Sequence, residues 1–138
     1  MSVRVKDRGL SKMEYIHNAQ QIVYLVTERI NKYINKVASE KRYKHFTKSA
    51  TYSIWNPPIY HSQMVYQYCQ LANTERNTEK RLSFLSDASR NLELLESSVQ
   101  TFYQSFKRVV KDKFIELLTN KIDFEKTLIK GQSRFISC

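Results

Sequence analysis

One spacing in this sequence could begin a metal centre. Glu14-x-x-His17 is half of a helical di-metal carboxylate site, which needs two Glu-x-x-His pairs and two further glutamates converging inside one bundle. The second pair is missing, because Arg42 stands three residues before His45 and Pro58 three before His61. Glu14 has a simpler use. Ser11-Lys12-Met13-Glu14 has the form of a capping box, with Leu10 and Tyr15 at the two staple positions. The three histidines make no zinc spacing with Cys69 or Cys138. Cys69 has no flanking glycine or elbow to expose it, and reads as a small core residue rather than a nucleophile. These residues point to no catalytic site, no metal and no cofactor, and so to a protein that is not an enzyme.

The chemistry the sequence does supply is cationic. The 23 Lys and Arg against 13 Asp and Glu leave a net charge of +10 on 138 residues. The excess is uneven: residues 1–48 carry +7, residues 107–138 carry +4, and residues 49–106 carry −1. It is densest at Lys41, Arg42, Lys44 and Lys48, at Lys107, Arg108, Lys111 and Lys113, and along an amino-terminal arm holding Arg4, Lys6 and Arg8. Several Lys and Arg on a common face are what counterion release from a phosphate backbone requires, so these are the candidate phosphate ligands for RNA or DNA. Any single run could equally be an ordinary solvated helix face. Membrane-surface binding fits less well, since the basic helices already use their apolar stripes for packing.

A converse feature fills residues 49–74, which hold no Asp, Glu, Lys or Arg but include Tyr52, Trp55, Tyr60, Tyr66 and Tyr68. An aromatic-rich, charge-poor surface resembles the buried centre of a protein interface. Tyr52, Trp55, Tyr60 and Tyr66 are therefore candidate subunit or partner contacts, whereas Ile59 and Tyr68 suit the chain's own core.

The elements that must position these groups are helical. With two glycines and two prolines, the chain lacks the turn residues of a strand-rich sandwich and the clustered glycines of a phosphate-cradling loop. Ile16, Ala19, Val23, Val26, Ile30, Tyr33 and Val37 recur in steps of three and four, which predicts a first helix over 11–37 after a basic arm over 1–10. Leu85, Ala88, Leu92, Leu95, Val99, Phe102 and Phe106 form a second seam on a helix over 78–105, with Thr78-Glu79 at its start. A last helix over 108–130 carries Phe114, Leu117, Phe124 and Leu128 on one stripe and Ile115, Leu118, Ile122 and Ile129 beside it, a broad face expected to be deeply buried. Gly131 is its expected left-handed cap, followed by a tail over 131–138. Between the first and third helices, 41–75 reads as helical with a break at Asn56-Pro57-Pro58, where Asn56 could cap a new start.

These pieces make one domain over 1–138, an all-α, antiparallel up-down four-helix bundle whose second helix is kinked or preceded by a short extra helix. No window approaches a membrane span, and the two cysteines give no disulfide framework. With no signal-peptide pattern at the start, the expected compartment is the cytoplasm.

Short stretches also resemble a family. Leu10-Ser11-Lys12-Met13-Glu14-Tyr15 with His17-Asn18-Ala19, the Ala72-Asn73 pair, the helix over 81–100 with Ala88 and Asn91, and Leu128-Ile129-Lys130-Gly131 are similar to the accessory variability determinants, the four-helix accessory proteins of diversity-generating retroelements. That group in turn resembles the four-helix proteins of ribosomal-RNA intervening sequences. The resemblance implies the same bundle, a homo-oligomeric ring of five subunits, and a basic surface that holds RNA and DNA while docked on a reverse transcriptase. Asn56-Pro57-Pro58 departs from the pattern, inside what should be an unbroken second helix, and bears on the ring's geometry more than on the bundle.

The leading expectation is thus a non-enzymatic, basic nucleic-acid-binding accessory to a reverse transcriptase in mutagenic copying. The rival is an oligomeric helical module that contacts protein partners through 49–74 and binds no nucleic acid.

Overall fold

The computed structural model describes residues 5–46 and 48–137, with side chains at 13–46, 48–49 and 52–137. Four helices account for nearly all of it: α1 (Val5–Ser39), α2 (Lys48–Thr74), α3 (Thr78–Ser105) and α4 (Asp112–Ser137), with a short 3-10 turn at Lys41–Tyr43 before α2. No strand occurs among the described residues. Each helix packs on the next in chain order, and α1 closes against α4. Short connections force successive helices to run antiparallel, giving the four-helix bundle expected from the two seams.

The core follows the three-and-four periodicity. All seven α3 seam residues, Leu85 to Phe106, are buried. On α1 the seam holds except at Val23, which is half-buried, while Ile22 takes the core position.

Four sequence expectations need correction. The first helix is already formed at Val5, so it runs through Gly9, and Ser11 is an interior residue rather than a start. One glycine costs a helix interior only about 1 kcal/mol, and the neighbouring residues are adequate helix formers. The break at Asn56-Pro57-Pro58 is absent: α2 is one helix with Pro57 and Pro58 inside it. The prolines give up two backbone donors, but Pro58 is buried and Trp55 and Ile59 pack on the core either side of the pair. Tertiary packing outweighs the local preference there.

The third correction concerns Gly131, which lies within α4 and has no positive φ, so it caps nothing. The fourth is the breadth of the α4 face. The buried stripe is Phe114, Leu118, Ile122, Glu125 and Ile129, while Leu117 and Phe124 remain 46% and 44% exposed. At the start of α3 the cap is Asn77, one residue before Thr78, whose side-chain oxygen accepts from the Lys80 N–H at 3.0 Å.

Candidate nucleic-acid interface

Because the helices alternate in direction, the end of α1, the start of α2, the end of α3 and the start of α4 share one end of the bundle. The contacts bear this out. Tyr33, near the end of α1, lies 5.5 Å from the ring of Phe114 at the start of α4 and 6.3 Å from that of Phe102 near the end of α3. Its hydroxyl accepts from the Lys111 backbone N–H at 3.3 Å.

The two connecting segments at this end are joined by rings. Phe106 is fully buried, and its ring lies 5.3 Å from Tyr43 and 5.4 Å from Phe46, centroid to centroid. Tyr43 and Phe46 also meet at 5.9 Å, and Phe102 and Phe106 at 5.5 Å. Tilted and edge-on pairs of this kind add to the burial of their area. Tyr43 and Phe46 are half-buried against Phe106, while the cations beside them and the His45 ring face water. Lys41, Arg42, Lys44 and Lys48 are exposed, as are Lys107, Arg108, Lys111 and Lys113. Two basic runs more than fifty residues apart in sequence therefore form one pole.

Little at the pole opposes this charge. Of the two acids within 40–48 and 107–113, Glu40 pairs with Arg42 at 3.5 Å, and Asp112 accepts from the Tyr103 hydroxyl at 2.5 Å; Glu116 follows one turn on along α4. That hydrogen bond pushes the Tyr103 hydroxyl above its ordinary pKa. Lys107 sits 5.9 Å above the Tyr103 ring, which fixes the ammonium without neutralising it. The sequence reading missed Arg29, which lines a small cavity at this end with Tyr33, Lys111, Lys113 and Phe114. Its signal was its place one turn before Tyr33 on α1.

The other candidates lie elsewhere. Lys6 and Arg8 are in the first turns of α1, about 45 Å along the helix from the pole at a rise of ~1.5 Å per residue. Arg4 falls outside the described residues. The four aromatic candidates on α2 do not form one patch. Tyr52 is 55% exposed and meets Trp55 edge-on at 5.6 Å. Tyr60 is 50% exposed and pairs with His61 at 5.3 Å, while Tyr66 is half-buried and its hydroxyl accepts from Gln70 at 3.0 Å. Tyr52 and Trp55 instead line a groove of about 790 Å³ beside the pole, together with Tyr43, Phe46, Lys44 and Lys48.

Glu14 and His17 are both exposed on α1, and no group of three or more His, Cys, Asp or Glu that could hold a metal occurs among the described residues. Cys69 is buried as expected of a core residue, but in polar company. The buried Asn18 amide donates to Glu125 Oε1 at 3.1 Å and to the Lys121 carbonyl at 3.0 Å, and Cys69 Sγ donates to Glu125 Oε2 at 3.4 Å. Burial pushes the Glu125 carboxyl up to about 8, against the opposing pull of these two side-chain bonds. Burial and the neighbouring Glu125 also push the Cys69 thiol up. None of these groups is near the pole.

Among the described residues no helix is long and apolar enough to cross a membrane. Comparison with known proteins finds no matching family model, no matching curated protein and no matching solved structure. The resemblance to retroelement accessory proteins accordingly rests on the quoted residues alone.

Proposed function

We propose that this protein is a non-enzymatic nucleic-acid-binding module whose basic pole grips phosphates. The observation that carries the reading is the convergence of 40–48 and 107–113 at one end, with eight exposed cations and two acids that already have partners. Phosphate contacts position a nucleic acid without reading its sequence. Affinity should therefore come from charge, and any selectivity from the shape of the strand or from a partner protein.

The family resemblance extends this to a role: an accessory that holds RNA or DNA for a reverse transcriptase during mutagenic copying, in the cytoplasm, as a homo-oligomer. The half-exposed Leu117 and Phe124, seven residues apart on α4, support self-association, because the bundle itself leaves both uncovered. In the rival reading, 49–74 contacts a protein partner and the protein is an interaction module without nucleic acid.

Titrating labelled single-stranded RNA at several salt concentrations separates the two readings. The pole predicts that log K falls linearly with log salt, with a slope near −3 if about four phosphates are neutralised at ~0.7 each. Absence of binding at low salt, or binding indifferent to salt, overturns the phosphate reading. For the retroelement role, the decisive observation is a reverse-transcriptase reading frame beside this one.

A further inference from the structure

The groove beside the pole has a composition that phosphate binding alone does not use. Its walls carry the rings of Tyr43, Phe46, Tyr52 and Trp55, Lys44 and Lys48 also line it, and its one acid, Glu40, is paired with Arg42 at 3.5 Å. Its volume of about 790 Å³ lies in the range of ligand pockets, far above a packing defect. Tyr43 and Phe46 are held from behind by Phe106, and Tyr52 and Trp55 brace one another edge-on, so the rings are fixed before any ligand arrives.

Apolar rings beside exposed ammonium groups suit a ligand with a flat, uncharged π-face attached to an anionic backbone. We propose that this groove takes an unpaired base of a single-stranded nucleic acid, stacked on its aromatic walls, while Lys44 and Lys48 bind the flanking phosphates. The inference rests on reading the pole as a phosphate site and adds a preference for strand state. A duplex keeps its base faces stacked inside and offers this groove nothing but edges and phosphates. A second copy of the chain is a poor occupant, because it would bring a +10 molecule onto the densest cations of its partner.

Trp55 is the sole tryptophan and lines the groove, so tryptophan emission can be assigned to this position. The test compares an oligothymidylate, an abasic strand of the same length and a duplex of the same length, at one low salt concentration. Stacking predicts that the oligothymidylate quenches Trp55 and binds about ten-fold tighter than the abasic strand. Tyr52→Ala, at an exposed position that keeps the reporter, should bring that ratio close to one while leaving the abasic strand's affinity unchanged. Equal affinity for all three ligands with unchanged Trp55 emission overturns the base site and leaves the phosphate reading standing. No binding by any of them at low salt overturns both. A Trp55 shift that follows protein concentration without nucleic acid, matched by dimerisation in sedimentation, assigns the groove to a second copy and overturns the proposal.

Discussion

The Asn18 side-chain amide on α1 donates to Glu125 Oε1 on α4 at 3.1 Å, buried inside the bundle. A glutamate at zero exposure needs either a cation or a proton, and no Lys or Arg is bonded to this one. The proton is the answer the site supports, since burial raises the carboxyl to about 8.

The sign of the resulting pH dependence follows. An unfolded chain releases this proton near its ordinary 4.5, whereas the folded chain holds it until about pH 8. Folding is therefore favoured most below pH 4.5, and stability from this group declines as pH rises toward 8, then levels off. The thermal midpoint should fall by on the order of 5–10 °C between pH 5 and pH 8.5. Glu125→Gln, which mimics the neutral acid, should remove most of that fall. Calorimetry of both proteins across this range checks it.

Tyr15 is 1% exposed and its hydroxyl has no hydrogen-bond partner among the described residues. Burial pushes the hydroxyl's pKa up, so it is neutral at every ordinary pH. An unsatisfied buried hydroxyl costs folding free energy that phenylalanine avoids at nearly the same shape. Tyr15→Phe should stabilise the fold by about 1 kcal/mol in urea denaturation. A loss of that size would mean the hydroxyl is bonded in solution.

Gly131 sits in α4 with open space around the position where a Cβ would stand. Its backbone is compatible with any L-residue. Gly131→Ala should add about 0.5–1 kcal/mol of stability through the helix and through the unfolded chain. A destabilised variant would mean that the helix ends at Gly131, as the sequence pattern first suggests.

Phe106 joins the two basic segments from below, with the rings of Tyr43, Phe46 and Phe102 around it. Phe106→Ala should cost about 3–5 kcal/mol, as large aromatic truncations in cores do. Phe106→Leu keeps most of the apolar volume, and the bundle should remain folded by circular dichroism. Its affinity for single-stranded RNA should nonetheless drop more than its stability does, because the ring pairs that hold 43–46 in place are gone.

Much of the bundle was legible because a repeating apolar seam is both a local and a tertiary signal. The α3 residues Leu85 to Phe106 bury as their spacing predicts. Prolines 57 and 58 misled because a proline reports only its local backbone preference, and the packing of Trp55 and Ile59 on the core is invisible at that range. Glu125 could have been found: it falls at a seam position of α4, between Ile122 and Ile129, where a charge demands explanation. The pole was half legible. Each basic run stood out, but their union depends on Tyr43, Phe46 and Phe106 meeting across sixty residues, which no spacing encodes.

That union makes the pole a property of the closed molecule. The two basic runs come together through Phe106, at the end of α3, whose ring meets Tyr43 and Phe46 of the segment between α1 and α2. A ligand gripping both runs therefore binds the folded chain and ignores the unfolded one. Mass action then turns occupancy into resistance to heat, by about 2.7 kcal/mol at a hundred times the dissociation constant.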